Sequence, residues 1–106
     1  MLTIDYGGRP GDVYFRCPGG TVRGFLHHQR LTAGELYPLM GHCDITVDVN
    51  FTDLLQWGEA AALTTVECVS QRDFVRQRSG PEGEDLCRER AAAEAFQCLV
   101  QRTGNP

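Results

Sequence analysis

With 106 residues, 42% of them hydrophobic and 23% charged, the chain has the make-up of one ordinary soluble domain over residues 1–106. That composition excludes the disordered, collagen-like and coiled-coil classes. No apolar run approaches the roughly 20 residues that cross a bilayer, Met1 runs into Leu2-Thr3-Ile4-Asp5 with no basic or long apolar leader, and the net charge is −4; neither membrane, export nor nucleic-acid binding is expected.

Leu2 to Asp5 is a short apolar stretch of strand character, and Tyr6-Gly7-Gly8-Arg9-Pro10-Gly11 after it has turn chemistry. Asp12 to Cys17 alternates, with Val13, Phe15 and Cys17 on one side and Asp12, Tyr14 and Arg16 on the other, which predicts a second strand. The glycine-rich stretch therefore leads into a strand and lacks a Gly-Lys-Ser/Thr ending, so it reads as a hairpin loop and not as a phosphate cradle. Cys17-Pro18-Gly19-Gly20 is a further turn, and Thr21 to Arg30 carries apolar groups on both faces, as a central strand does.

Thr32-Ala33-Gly34-Glu35 is a capping box ahead of Leu36, Leu39 and Met40, and Pro38 and Gly41 confine the predicted helix to about 32–40. From His42 to Phe51, Ile45, Val47, Val49 and Phe51 alternate with Asp44, Thr46, Asp48 and Asn50, predicting a strand with one core face and one solvent face. Asp53 to Trp57 has room for a helical turn closed by Gly58. Ala60 to Ser70 leans to strand, and Arg72 to Arg78 pairs with it as a hairpin, helix being the competing reading for both. Beyond the loop at 79–83, the pattern predicts a long helix from about Glu84 to Arg102. Leu86, Ala92, Ala93, Phe96, Leu99 and Val100 fall within one arc, with acidic residues at its start and Arg102 at its end. Together these elements predict an α+β fold: a two-layer antiparallel sheet with the long C-terminal helix packed on one face.

Five cysteines, Cys17, Cys43, Cys68, Cys87 and Cys98, form an odd set without a Cys-x-x-Cys pair, so a reducing cytoplasm and unpaired thiols used as core filler are expected. His27, His28, His42 and Cys43 are the densest donor cluster. Neighbours on a strand point to opposite faces, so His28, His42 and Cys43 remain as metal candidates without making a set, and no metal or cofactor is expected. Arg9, Arg16, Arg23 and Arg30 recur every seven residues, but the glycines and prolines between them exclude a heptad helix.

Charge is uneven along the chain. Residues 31–70 hold six carboxylates and no arginine, and all ten basic residues are Arg. Without a convergent catalytic set, this acidic block suggests a small non-enzymatic interaction protein, an inhibitor, immunity-type or adaptor module of bacterial or phage kind. It would meet a protein partner with a basic surface through Asp44, Asp48, Asp53 and Glu59, with Tyr37 and Trp57 as aromatic anchors. The alternative is a small-molecule-binding or catalytic domain with a pocket between sheet and C-terminal helix, lined by His28, His42, Cys43 or Glu89. A homodimer through an open sheet edge is compatible with either.

Overall fold

The computed structural model describes residues 1–80, 82–83 and 94–104. In chain order the elements are β1 (Leu2–Gly8), α1 (Pro10–Arg16), β2 (Arg23–Leu26), β3 (Gln29–Leu31), α2 (Ala33–Leu36) with a 3-10 turn at Tyr37–Leu39, β4 (Asp44–Thr46), β5 (Val49–Asn50), α3 (Phe51–Ala60), β6 (Leu63–Ser70), α4 (Gln71–Ser79) and β7 (Phe96–Thr103). They form an α+β fold on two sheets, one four-stranded in the order β5-β1-β7-β6 and one three-stranded in the order β3-β2-β4.

β7 is antiparallel to both β1 and β6, while β5 is parallel to β1. β1, β5 and β6 therefore run the same way, and their carboxyl ends, Gly8, Asn50 and Ser70, lie along one edge of the sheet. The close approach of β1 and β5 depends on Gly7, at φ 152°, where a Cβ would land on the Val49 carbonyl oxygen.

Val13 of α1, Phe51 of α3, and Cys98 and Leu99 of β7 are buried around this larger sheet, and Leu36 of α2 is the buried apolar residue of the smaller one. Gln101 is buried among them. Its amide donates to Thr65 Oγ1 at 3.4 Å, which satisfies a polar group held in an apolar setting.

Several expected elements are replaced. The long C-terminal helix is not found where it can be checked: Phe96–Thr103 is a strand, and the stretch 84–93 lies outside the described residues. Cys98 and Leu99, adjacent on β7 and so on opposite faces, are both buried; both faces meet protein, and the resulting run of apolar residues imitates a helical face. Asp12 to Arg16 belongs to α1 and Cys17 caps its end, with Pro10 at the first position, Asp12 in the first turn and Arg16 in the last. Arg72 to Arg78 is likewise helical: the Ser70 hydroxyl accepts from the Asp73 N–H at 3.1 Å, and Arg76 and Arg78 close the last turn.

Thr21 to Arg30 is no single strand. His27 and His28, at φ 48° and 65°, make the two-residue turn of the β2–β3 hairpin. The alternating run from His42 to Phe51 is shared between two sheets: β4 pairs with β2, β5 pairs with β1, and Phe51 begins a helix. The capping box is formed, with the Glu35 carboxylate accepting from the Thr32 N–H at 2.8 Å and from its hydroxyl at 2.9 Å. No helix among the described residues is long and apolar enough to cross a membrane.

Candidate functional site

At the carboxyl edge of the larger sheet, β1 ends in Gly7-Gly8 and the chain turns through Arg9 into α1. In open sheets with parallel strands the carboxyl edge is where ligands bind, because the turns there leave a crevice. Two cavities open at this place, and Gly7 and Arg16 line both. The expectation of a hairpin loop is corrected here: a helix follows the glycines.

The larger cavity, about 480 Å³, is walled by Asp12, Phe15, Glu94 and Gln97. The smaller, about 310 Å³, is walled by Tyr6, Arg16, Cys17, Arg23, Arg30, Asp48 and Ala95. Tyr6 stands opposite Phe96 in the β1–β7 register, and their rings lie 4.0 Å apart between centroids, tilted at 30°, a contact that holds the Tyr6 end of the cleft.

Arg16 closes α1 with its Nε donating to the Asp12 carbonyl at 3.2 Å. Arg23 opens β2, its Nη2 lying 3.1 Å from Asp48 Oδ1 and its Nη1 donating to the Thr21 carbonyl at 3.2 Å. Both partners of that ion pair are largely withdrawn from water, with 16% and 14% of their side-chain surface exposed. The Cys17 thiol also points at Asp48 Oδ2, at 3.9 Å. Arg30, on β3 opposite Phe25, is exposed and has no ion pair among the described residues. Three guanidinium groups thus face one carboxylate, and that carboxylate is engaged. The cavity carries surplus positive charge.

The expected acidic surface is divided. Asp48 is held by Arg23, Glu67 is paired with Arg78, and Glu35 is in its capping box. Asp44 is exposed on β4, Tyr37 is 71% exposed on the 3-10 turn, and Asp53, Trp57 and Glu59 lie on α3. Asp53 and Trp57 share a helix face at four-residue spacing. Trp57, 64% exposed, lines an apolar cavity of about 210 Å³ with Leu54, Leu63 and Leu99, toward the amino end of β1.

His28 is in a hairpin turn, and the Cys43 thiol donates to the Leu39 carbonyl at 3.4 Å with His42 beside it in the loop. Among the described residues no three His, Cys, Asp or Glu side chains gather for a metal. Glu89 lies outside the described residues. Burial pushes the thiols of Cys68 and Cys98 up from the usual range, which suits packing and opposes nucleophilic use.

Of the cavity residues, only Asp48 was singled out by its sequence. The other signal was present as the Arg16, Arg23 and Arg30 spacing; a helix, a turn and a hairpin, and no heptad, bring these three to one cavity.

A family model described as putative S-adenosyl-L-methionine-dependent methyltransferase matches residues 1–69. An uncharacterized protein from Burkholderia thailandensis has a crystal structure similar to this chain at TM-score 0.71 and 21% identity, covering 99% of this chain and 33% of that one. A second crystal structure, of a member of the same superfamily from the same organism bound to S-adenosyl-homocysteine, gives 0.69 and 21%, covering 99% and 32%. This identity shows a shared fold, and the chain spans about a third of the length of those two proteins. No curated protein matches.

These findings overturn the expected inhibitor or adaptor that meets a basic protein surface. They favour the alternative, a catalytic or small-molecule-binding protein. The arginine-lined cleft is consistent with the correction, since a basic partner would be repelled there.

The walls of the smaller cavity do not fit an adenosyl sulfonium group. In the smaller cavity a sulfonium would meet the guanidiniums of Arg16 and Arg30 beside an Arg23–Asp48 pair that is already mutually neutralised.

Proposed function

The chain belongs to the family described as putative S-adenosyl-L-methionine-dependent methyltransferase, and from that premise we propose that it serves methyl transfer by holding the methyl acceptor at the carboxyl edge of β1. The observation that carries this reading is the coincidence of the family match with the cleft. Gly7, Arg16, Cys17, Arg23, Arg30 and Asp48 all fall within residues 1–69. The donor is held by groups other than these, because their charge suits an acceptor and opposes a sulfonium.

In this role Gly8 leaves the space beside Arg16 Nη2 free of its own side chain, where a Cβ would lie 3.9 Å from that nitrogen. Arg16 and Arg30 orient the acceptor by directed N–H donors, and the Arg23–Asp48 pair fixes the cavity wall. We take the 106 residues as one α+β domain within the activity. A cytoplasmic location goes with it, since Cys17, Cys43, Cys68 and Cys98 are free thiols.

The test is transfer of tritium from methyl-labelled S-adenosyl-L-methionine into a cell extract of the source organism, which supplies acceptors and any further polypeptide the reaction needs. Added chain is expected to raise incorporation in proportion to its concentration, and Arg30→Ala to lower that gain about tenfold. Incorporation that does not respond to the added chain overturns the reading.

A further inference from the structure

We infer that the smaller cavity is an anion site, and that the methyl acceptor carries a carboxylate or phosphate group which Arg16 and Arg30 engage. This rests on the reading of the cleft as the acceptor's place and adds the acceptor's chemical class.

Four observations lead to it. Arg16, Arg23 and Arg30 line a single cavity of about 310 Å³, ample for a carboxylate or phosphate group with part of the molecule that bears it. Asp48 is the one carboxylate on its wall among the described residues, and its Oδ1 is committed to Arg23 at 3.1 Å, while the Cys17 thiol takes Oδ2. Arg23 is in turn spoken for, by Asp48 and by the Thr21 carbonyl. Arg16 uses its Nε on the Asp12 carbonyl, which leaves both of its Nη groups for a ligand, and the Arg30 guanidinium has no hydrogen bond or ion pair among the described residues.

The division of labour follows from geometry. A guanidinium offers parallel N–H pairs that match the oxygen spacing of a carboxylate or phosphate, and two such groups on different elements, α1 and β3, would grip it from two sides. The Arg23–Asp48 pair is close to neutral as a unit, so the surplus positive charge at this wall is that of Arg16 and Arg30. The carboxylates nearest in the neighbouring cavity are Asp12 and Glu94, and Glu94 is neutralised by Arg72. Asp12 is the remaining carboxylate of that neighbouring cavity, without an ion pair among the described residues, and Arg16 lines both cavities.

Titration of the full chain with inorganic phosphate and, separately, with succinate tests this, followed by calorimetry and by the arginine Nε–H resonances. Saturable binding is expected, weakened at least tenfold by Arg30→Ala and by Arg16→Ala. Arg102→Ala, which removes the same charge from the exposed far end of β7, should change it less than twofold. Asp48→Asn, checked for a retained melting transition, should tighten binding because it releases the Arg23 guanidinium. Phosphate binding alone assigns a phosphate-bearing acceptor, and succinate binding alone assigns a carboxylate. The inference is overturned if neither anion saturates, or if Arg30→Ala and Arg102→Ala weaken binding equally. Tritium transfer that persists in the face of either result would leave the methyl-transfer reading standing.

Discussion

The two sheets are held together by different kinds of interaction. The four-stranded sheet encloses Val13, Phe51, Cys98, Leu99 and Gln101, contributed by segments as far apart as α1 and β7. The three-stranded sheet has one buried apolar residue, Leu36, and is shaped by signals a few residues long: the two-residue turn at His27-His28, the Thr32–Glu35 box, and Gly24, where a Cβ would come within 2.7 Å of Leu36 Cδ1. The larger sheet thus carries the stability, and the smaller one carries two of the three arginines of the cleft. A ligand wall built on the less deeply packed part of a protein is where adjustment costs least.

The largest test of this contrast is Leu99→Ala. A fully enclosed leucine lost from the central strand should cost about 2–5 kcal/mol in urea unfolding and lower amide protection throughout the molecule. Leu36→Ala should cost about 2 kcal/mol and release protection in β2, β3 and β4 before β1, β6 and β7. Equal loss of protection in both sheets would mean that they unfold as one unit.

Thiol labelling sharpens the comparison. Cys98 is fully enclosed in the larger sheet, and its thiol is raised by burial and then by the Glu67 carboxylate. Iodoacetamide at pH 8 should modify Cys17 and Cys43 about tenfold faster or more than Cys98, given how little Cys98 opens in the native state. Comparable rates would remove β7 from the core.

The smallest effect concerns pH. The backbone N–H and then the hydroxyl of Thr32 hold the Glu35 carboxyl below its usual range. A carboxyl lowered in the folded state stabilises that state above the unfolded pKa, and the gain is lost as pH falls through the folded value. Acidification below the usual glutamate range should therefore loosen α2, and Glu35→Gln should remove this local pH dependence while leaving β6 and β7 unchanged.

These contrasts also account for how far each region could be read from its residues. Thr32 to Glu35 announces its helix start because the partners are three residues apart, and Leu2 to Asp5 and Leu63 to Ser70 show their strand character in apolar and β-branched side chains. Phe96 to Thr103 imitates a helix, since a strand covered on both faces loses its alternation. Val13 and Phe15 alternate as strand residues do, yet Val13 is enclosed against β1 and Phe15 is exposed in a cavity mouth. In the cleft, the arginine spacing was visible and its meaning was not, because Arg16, Arg23 and Arg30 meet only after a helix, a turn and a hairpin have placed them.

The α+β class, the capping box and the uneven charge are properties of residue type and short spacing, and the sequence by itself determined them. The identity of β7 as a central strand, the splitting of the 42–51 run between two sheets, and the clasp of Asp48 by Arg23 were decided only by tertiary structure. Burial on two faces and the meeting of distant charges depend on which segments become neighbours, and no local pattern encodes that.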